Sequence, residues 1–310
     1  MHDTFDYIAL LGPTSFGKTQ LLLDIAAEFP ERFEIISVDS VQVYKGLDIG
    51  SAKPSLAERS LVKHHLVDCC EVYEPYTVMT FINNCKALIA DINRRGKVAI
   101  LSGGTMLYFH AFNQGIADMP DIPVAIREQA KLLSGQPEAA WQYLLKHDPV
   151  SAEKLHPSDK QRIQRALEVY MATQRPISQW QQRTVKQHSL VGHYIILYPD
   201  DRADLHQRIA RRFDAMLDAG IVNELESVVA GCPQKLDLTY PSMRAIGYRQ
   251  VWQFLAGELT HEQMRMKAIV ATRRYLKRQC TWLKSWPKPV VSFNNVTACY
   301  EHIAAMLRRV

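Results

Sequence analysis

The chain has 310 residues, 47% of them hydrophobic and 22% charged, with a formal net charge of +5 at pH 7. These values are ordinary for a globular protein large enough for an α/β core plus a second unit. They exclude a membrane-spanning helix, since no run of about 18 apolar residues occurs, and the N-terminus lacks the pattern of a secretory signal peptide. We therefore expect a cytoplasmic protein that does not associate with membranes.

Short apolar segments alternate with helical patterns in the first hundred residues. Strands are predicted at Tyr7–Leu11, Phe33–Val38 and residues 97–101, with a helix from about Leu21 to Ala26 after the first strand. This alternation is typical of a parallel sheet with crossover helices. Ligands of such sheets bind at the carboxyl ends of the strands. The polar and glycine-rich residues that follow these strands are therefore the expected site.

The pattern changes after residue 118. Residues 119–123 predict a linker, and the following sequence favours helices and is rich in Gln and Arg. A strand pattern resumes at residues 192–198, and the remainder is again mostly helical. We predict an α/β fold whose P-loop core, residues 1–118 and 192–310, has a parallel sheet flanked by helices. Residues 119–191 are the predicted all-helical insertion domain.

An eight-residue loop follows the first strand and reads Gly12, Pro13, Thr14, Ser15, Phe16, Gly17, Lys18 and Thr19. It matches the phosphate-binding pattern G-x-x-x-x-G-K-[ST] between a strand and a helix, which is the context the motif requires. Its backbone N–H groups and the helix dipole favour an anion. The Thr19 hydroxyl can hold Mg²⁺. The motif predicts a bound di- or triphosphate, such as that of ATP or another nucleotide, without deciding which one.

Acidic residues are sparse at the predicted strand ends. A P-loop NTPase usually carries a metal-binding aspartate after a later strand, but residues 102–105 read Ser-Gly-Gly-Thr here. Asp39, after the second strand, is the acid in such a position. This favours group transfer from a pyrophosphate or nucleotide donor to an acceptor held by Asp39, over a motor protein or a GTPase.

Positive charge is concentrated in two segments. Residues 151–190 carry seven lysines and arginines against three acids, and residues 261–285 carry seven against one. In the second segment a helical arc of roughly 140° contains Arg273, Arg274, Lys277, Arg278, Thr281 and Lys284. Such segments favour a polyanionic partner. Solvated helix faces are the alternative explanation.

Neither the cysteines nor the histidines predict a metal centre. None of the six cysteines has the spacing of a zinc-ligand pair, so we expect free thiols that are mostly buried. His64 and His65 are adjacent and point in different directions in a helix or strand. We expect both to have structural roles.

Seven segments in order resemble one family. After the phosphate loop come residues 39–54 (DSVQVYKGLDIGSAKP), 64–68 (HHLVD), 103–108 (GGTMLY), 162–170 (RIQRALEVY), 244–249 (RAIGYR) and 277–283 (KRQCTWL). Together they make the chain closely similar to the bacterial tRNA dimethylallyltransferases, also called tRNA isopentenyltransferases. The loop departs from the family pattern at Ser15 and Phe16, where two small residues are common.

The resemblance implies transfer of the dimethylallyl group of dimethylallyl diphosphate to the N6 amine of adenosine at tRNA position 37, beside the anticodon. It implies that the phosphate loop, chiefly Thr14, Lys18 and Thr19, binds the donor pyrophosphate, with Mg²⁺ as cofactor. Either Arg208 or Arg212 would assist, and the sequence does not decide between them. Asp39 is implied as general base and Thr105 as a catalytic residue beside the target nucleotide. We expect a monomer with no obligate protein partner.

The resemblance also implies a set of tRNA contacts, with the insertion domain on the anticodon arm. They are Asp39, Ser40, Val41, Gln42, Thr105, Arg127, Gln164, Arg165, Ala166, Leu167, Glu168, Arg244, Ala245, Ile246, Gly247, Tyr248, Arg249, Lys277, Arg278, Gln279, Cys280, Thr281, Trp282, Leu283 and Lys284. The basic segments would bind RNA phosphates while the target adenine is unstacked from its neighbouring bases.

Two other functions remain open from the sequence. A small-molecule or nucleotide kinase also pairs a phosphate loop with an aspartate after the second strand, although the 119–191 segment is long and Gln-rich for a usual lid. A non-catalytic RNA-binding protein with a relic phosphate loop would make no use of Asp39 as a base.

Overall fold

The computed structural model describes residues 5–117, 119–182, 188–200, 203–287 and 289–309. The chain forms two compact units, one of residues Met1–Phe109 with His188–Val310 and one of residues His110–Gln187. Arg183 and Lys186 of the first predicted basic segment lie outside the described residues, as does residue 118, the predicted end of the first core segment. In the described ranges, no helix is long and apolar enough to cross a bilayer.

The first unit contains a six-stranded sheet. Its strands are β1 (Tyr7–Leu11), β2 (Phe33–Val38), β3 (His64–His65), β4 (Val98–Gly103), β5 (Gly192–Leu197) and β6 (Val291–Phe293). Their order is β3-β2-β4-β1-β5-β6, and every pairing is parallel. This confirms the predicted parallel α/β fold and its four predicted strands. The sequence analysis does not identify the short edge strands β3 and β6.

Helices occupy most of the remaining described chain. In order they are α1 (Lys18–Glu28), α2 (Leu56–Leu61), α3 (Val78–Arg94), α4 (Met106–Gln114), α5 (Val124–Ser134), α6 (Pro137–His147), α7 (Pro149–Lys154), α8 (Lys160–Thr173), α9 (Ile177–Gln181), α10 (Ala203–Asp218), α11 (Ile221–Gly231), α12 (Tyr248–Leu255), α13 (His261–Lys284) and α14 (Val296–Leu307). Helices α5 to α9 belong to the second unit, whose bounds, residues 110–187, differ from the predicted bounds of 119–191.

Each unit has its own hydrophobic core. Every residue of β1 and β2 is buried, as expected for parallel strands covered on both faces. Helix α1 packs Leu21 and Ile25 against this sheet at helical spacing. In the second unit, Ile163 and Leu167 of α8 lie in a separate buried cluster.

The carboxyl ends of three neighbouring strands lie side by side. Gly103 at the end of β4 is in register with Leu11 of β1 on one side and with Val38 of β2 on the other. Beyond the strands, the Thr105 N–H donates a hydrogen bond to the Val38 carbonyl at 3.1 Å. The segments that follow these three strands therefore begin at the same edge of the sheet.

Gly103 allows this close approach, because a Cβ atom there would lie 2.1 Å from the Val38 carbonyl oxygen. We expect Gly103→Ala to lower the free energy of unfolding by about 1–3 kcal/mol, measured by denaturant titration. Gly231→Ala is the matched control, since no described atom outside the neighbouring helix backbone lies within 4 Å of the added Cβ and alanine favours the helix. Equal stability of the two variants would contradict this account of the strand ends.

Candidate active site

The phosphate loop joins β1 to α1 in a conformation suited to an anion. Gly17 has a φ of +88° and Ser15 a φ of +63°, in the left-handed region that turns successive N–H groups towards one side. Helix α1 begins at Lys18 without a side-chain hydrogen bond to its first turn. Its N-terminal N–H groups and its dipole therefore favour a negatively charged ligand.

Lys18 is a buried cation that lies against its own loop. It is 9% exposed, and its Nζ donates hydrogen bonds to the carbonyl oxygens of Gly12 at 2.7 Å and Pro13 at 2.9 Å. Burial lowers the pKa of Lys18 to about 7, assisted by the positive charge of Arg212 and opposed by the negative charge of Asp39. An anion in the loop would favour the charged form of this amine.

One cavity of about 530 Å³ connects the phosphate loop with the ends of β2 and β4. This volume is in the range of small-molecule sites. The predicted site residues that line it are Thr14, Ser15, Phe16, Gly17, Lys18, Thr19, Asp39, Gln42, Arg208, Arg212 and Gln279. The groups predicted to bind the donor and to activate the acceptor therefore face the same space.

Asp39 uses its two carboxylate oxygens differently. Oδ1 accepts hydrogen bonds from the N–H of Val41 at 2.8 Å and of Gln42 at 3.3 Å, which fixes a turn after β2. Oδ2 has no hydrogen-bond donor among the described residues, and the half-buried side chain lines the cavity. A turn-forming role and a proton-accepting role are therefore compatible in one side chain.

Thr105 lies beside the Asp39 turn. Its Oγ1 accepts the N–H of Ser40 at 3.1 Å and lies 3.5 Å from the Ser40 hydroxyl oxygen. Thr105 is not among the described residues that line the cavity. These contacts support a role in holding the turn, and a direct contact of Thr105 with the target nucleotide stays a prediction.

Two arginines of α10 line the cavity in different surroundings. Arg208 is exposed, and its Nε donates a hydrogen bond to the Asp204 carboxylate at 2.7 Å. Arg212 is half-buried and has no ion-pair partner among the described residues, and burial lowers its pKa although Asp39 acts in the opposite direction. A guanidinium in this setting favours an oxyanion ligand. Arg212 is therefore the stronger candidate for the pyrophosphate contact.

Gln279 of α13 joins two sides of the cavity. It is 1% exposed, its Oε1 accepts the N–H of Thr14 at 3.0 Å, and its Nε2 donates to the carbonyl of Gly104 at 2.8 Å. Tyr275, one turn earlier, donates its hydroxyl to the same carbonyl at 2.7 Å. The phosphate loop and the segment after β4 are thus tied together through one buried amide.

The structure divides the predicted tRNA contact set by burial, and the contacts themselves stay predictions. Eight members are buried, namely Ala166, Leu167, Glu168, Gly247, Tyr248, Gln279, Cys280 and Leu283. Gly247 has no side chain, and Gln279 lines the cavity. The burial of the other six does not support side-chain contacts with RNA, because a helix turns about 100° per residue and a continuous motif cannot face solvent throughout. The exposed members are Ser40, Arg127, Arg244, Arg249, Lys277, Arg278, Thr281 and Lys284, and the half-buried members are Asp39, Val41, Gln42, Thr105, Gln164, Arg165, Ala245, Ile246 and Trp282.

The sequence analysis missed Tyr275, which lines the cavity outside every quoted motif. A signal was available in α13, where Leu276, Gln279, Cys280 and Leu283 recur at helical spacing and are all buried. A glutamine in such a stripe indicates a buried amide with specific partners. Tyr275 lies four residues before Gln279 on the same face.

Most of the cysteines are buried, as predicted, and the two adjacent histidines have structural contacts. The described part of the chain contains no group of three potential His, Cys or carboxylate metal ligands. Among the described residues none of the six cysteines forms a disulfide, and four of them are buried. In β3, Nε2 of His65 lies 2.7 Å from the Glu34 carboxylate, and Nδ1 of His64 lies 2.8 Å from the Val62 carbonyl. Both histidines therefore have structural contacts.

Sequence comparison identifies closely similar proteins. The IPP transferase family profile matches residues 42–286. The tRNA dimethylallyltransferase of Thiobacillus denitrificans is 44% identical over 287 residues, which cover 91% of this chain and 90% of that protein. The tRNA dimethylallyltransferase of Neisseria meningitidis serogroup C is 42% identical over 307 residues, covering 97% of this chain and 96% of that protein.

Solved structures are similar over most of the chain as well. The full-length tRNA isopentenylpyrophosphate transferase from Bacillus halodurans aligns with a TM-score of 0.66 and 30% identity, covering 98% of this chain and 97% of that chain. A eukaryotic dimethylallyltransferase acting on tRNA aligns with a TM-score of 0.72 and 29% identity, covering 90% of this chain and 70% of that chain.

The lowered pKa of Lys18 predicts proton uptake when the loop binds its anion. The amine is protonated below its pKa of about 7 and increasingly neutral above it, and a bound anion raises that pKa. We expect dimethylallyl diphosphate, the donor implied by the resemblance, to bind with uptake of about one proton near pH 8. Titration calorimetry in buffers of different ionisation enthalpy measures this number.

Lys18→Met is the control, because it retains side-chain bulk but cannot take up a proton. The difference in proton uptake between the wild type and this variant should shrink as the pH falls below about 7, where Lys18 already carries its charge. Equal uptake by the two proteins near pH 8 would assign the titration to another group.

Proposed function

This chain belongs to the IPP transferase family, and we propose that it is a tRNA dimethylallyltransferase, a prenyl-transferring enzyme that modifies tRNA. One observation carries the assignment at the level of the site. A loop suited to a diphosphate and a carboxylate with one unengaged oxygen, that of Asp39, face the same cavity. The similar proteins named above carry this activity in their names.

The proposed donor is dimethylallyl diphosphate, with its diphosphate in the phosphate loop. The hydroxyl oxygen of Ser15 is buried and has no hydrogen-bond partner among the described residues, so a diphosphate oxygen would relieve the cost of that unmade bond. Lys18 and Arg212 supply positive charge beside it. Negative charge grows on the diphosphate as its bond to the allylic carbon breaks, and these groups stabilise that charge.

Asp39 is the proposed general base. The lone pair of the adenine amine is delocalised into the ring, so the amine is a weak nucleophile that benefits from a base. The N6 nitrogen forms a bond to the allylic carbon, the carbon–oxygen bond to diphosphate breaks, and the amine proton passes to Oδ2 of Asp39. Oδ1 keeps its hydrogen bonds to Val41 and Gln42, which hold the base in position.

Mg²⁺ is the proposed cofactor, shared between the loop and the donor. The described residues offer no cluster that could hold a metal ion alone. Thr19, in the first turn of α1, is exposed and lines the cavity. Magnesium sites often combine one or two protein ligands with phosphate oxygens and water, so a single hydroxyl fits this cation. When bound, Mg²⁺ would neutralise charge on the diphosphate.

The proposed tRNA surface includes a basic groove of the first unit. Arg244 and Arg249, just before and within α12, line this groove with Arg274 and Arg278 of α13. Two of the segments that the resemblance assigned to tRNA therefore meet here. Phosphate contacts of this kind fix the orientation of an RNA without reading its sequence.

The second unit has its own proposed RNA contacts. Arg127 is exposed, and Arg165 forms an ion pair with Glu168 at 3.2 Å. We infer that the helical segment of residues 119–191 binds the anticodon arm while the adenine at position 37 leaves its stack, at a cost of a few kcal/mol. We also infer a monomer that acts in the cytoplasm without an obligate protein partner.

The activity is tested with Mg²⁺, dimethylallyl diphosphate and unmodified tRNA, followed by digestion and mass spectrometry of the nucleosides. We expect one adenosine beside the anticodon to gain a dimethylallyl group. Asp39→Asn keeps an oxygen for the Val41 N–H but removes the base, so kcat should fall about 10²–10⁴-fold with little change in thermal stability.

Other outcomes of this assay identify the alternatives. Absence of the added mass together with phosphate transfer from ATP would identify a kinase. RNA binding without any reaction, unaffected by Asp39→Asn, would identify a binding protein with a relic phosphate loop.

The arginines of α10 are distinguished by separate substitutions. Arg212→Gln should weaken binding of dimethylallyl diphosphate about 10- to 100-fold, because a charge-assisted hydrogen bond contributes about 1.5–3 kcal/mol. Arg208→Gln should change it less than about threefold, since Arg208 is exposed and paired with Asp204. Calorimetric titration measures both dissociation constants, and the reverse ranking would assign the contact to Arg208.

A further inference from the structure

The carboxylate of Glu224 in α11 accepts hydrogen bonds from a turn that is distant in sequence. Its Oε2 accepts the N–H of Asp48 at 3.1 Å and of Ile49 at 2.8 Å. Its Oε1 accepts the hydroxyl of Tyr248 at 2.5 Å and the N–H of Gly50 at 3.5 Å. The Tyr248 hydroxyl oxygen in turn accepts the Gly50 N–H at 2.9 Å. We call Glu224 and Tyr248 together the clamp.

The chemistry of the clamp requires a carboxylate. Every group that points at Glu224 in these contacts is a donor, and an ionised carboxylate accepts through both oxygens. Burial and the negative charge of Glu224 raise the pKa of Tyr248, so this hydroxyl keeps the proton that it donates. Gly50 allows the approach, because a Cβ atom there would lie 2.6 Å from the Tyr248 ring.

The clamped segment continues directly into the cavity wall. Ser51 and Ala52 follow the clamped N–H groups and line the cavity, as does Gln42. Nε2 of Gln42 donates to the carbonyl of Ala52 at 3.2 Å and of Ser51 at 3.4 Å, and its Oε1 accepts the Ser37 hydroxyl at 2.9 Å. The orientation of the Gln42 amide is therefore set by the backbone that the clamp holds. We call residues 48–52 the cavity turn.

We propose that Glu224 and Tyr248 are positioning residues for the acceptor side of the reaction. The clamp fixes the cavity turn, the turn carbonyls orient Gln42, and Gln42 follows the Asp39 turn, where the target adenine is to be deprotonated. None of the clamp contacts given above involves the phosphate loop, so we expect the clamp to affect the acceptor step and not the binding of the donor. This inference rests on the proposed tRNA dimethylallyltransferase function.

The clamp also gives the tyrosine of the RAIGYR segment, residues 244–249, a role inside the protein. Tyr248 in this segment is fully buried, and its hydroxyl contacts Glu224 and the cavity turn. The segment thus presents Arg244 and Arg249 to solvent while its tyrosine supports the cavity wall. One short motif therefore serves RNA binding and acceptor positioning through different faces.

Glu224→Gln in the full-length protein tests the proposal. It keeps the shape of the side chain but turns an amide nitrogen towards groups that are all donors. We expect kcat/KM for tRNA to fall about 10- to 100-fold, because small misplacement of reacting groups has effects of this size. The dissociation constant for dimethylallyl diphosphate should stay within about twofold of the wild type.

One further measurement and two further variants separate a positioning role from a general loss of stability. Hydrogen exchange of a peptide covering residues 48–52 should be faster in Glu224→Gln, because the amides lose their acceptor. Glu226→Gln is the matched control, since Glu226 is exposed on the same helix, and it should match the wild type in every assay. Tyr248→Phe keeps the ring and removes only the hydroxyl, and it should shift activity and exchange in the same direction.

The outcomes distinguish this inference from the proposed function. A wild type that binds dimethylallyl diphosphate but does not modify tRNA would refute the function itself. An active wild type with Glu224→Gln and Tyr248→Phe at full activity would refute the clamp. Equal losses of donor binding and tRNA activity in Tyr248→Phe would show general damage and also overturn it. If Glu224→Gln does not fold, Tyr248→Phe decides the question alone.

Discussion

The side-by-side ends of β1, β4 and β2 are the constraint on which the site depends. Gly103 lies so close to the Val38 carbonyl that an added side chain would require the backbone to shift, and its register partners bring the three strand ends to one edge. The phosphate loop, the Asp39 turn and the segment that contains Gly104 all begin at this edge. The groups proposed to bind the donor and to activate the acceptor are distant in sequence, and they meet because the loops after parallel strands lie on one side of the sheet.

The cavity at this edge concentrates positive charge that the protein balances only in part. Burial lowers the pKa of both Lys18 and Arg212, and Asp39 opposes the shift in each case. The charged forms of such groups are favoured when an anion shares their surroundings. The same arrangement therefore favours a strongly anionic ligand, and in the proposed function it would stabilise the charge of a departing diphosphate. Perturbed groups in a shared cleft are a recurrent property of functional sites.

The sequence was sufficient for the main elements and insufficient for many side-chain roles. Strands β1, β2, β4 and β5 are visible as apolar runs, since strands buried on both faces require them. Strands β3 and β6 have two and three residues and too little pattern to detect. The phosphate loop is encoded locally by its motif, whereas Glu224 and Gln279 bind backbone groups 175 and 265 residues away. The periodicity of the neighbouring sequence does not indicate such long-range contacts, so they are seen only in the folded structure.

Helix α13 presents two different surfaces, one buried and one exposed, from residues that are adjacent in sequence. Gln279 faces the phosphate loop, while Lys277 and Arg278 face solvent. One inserted residue would turn the following part of a helix by about 100°, directing the buried amide outwards and a cation inwards in the same event. A substitution at an exposed position of this helix leaves Gln279 in place, whereas a change of length between Tyr275 and Gln279 would disturb the buried face and the basic face together.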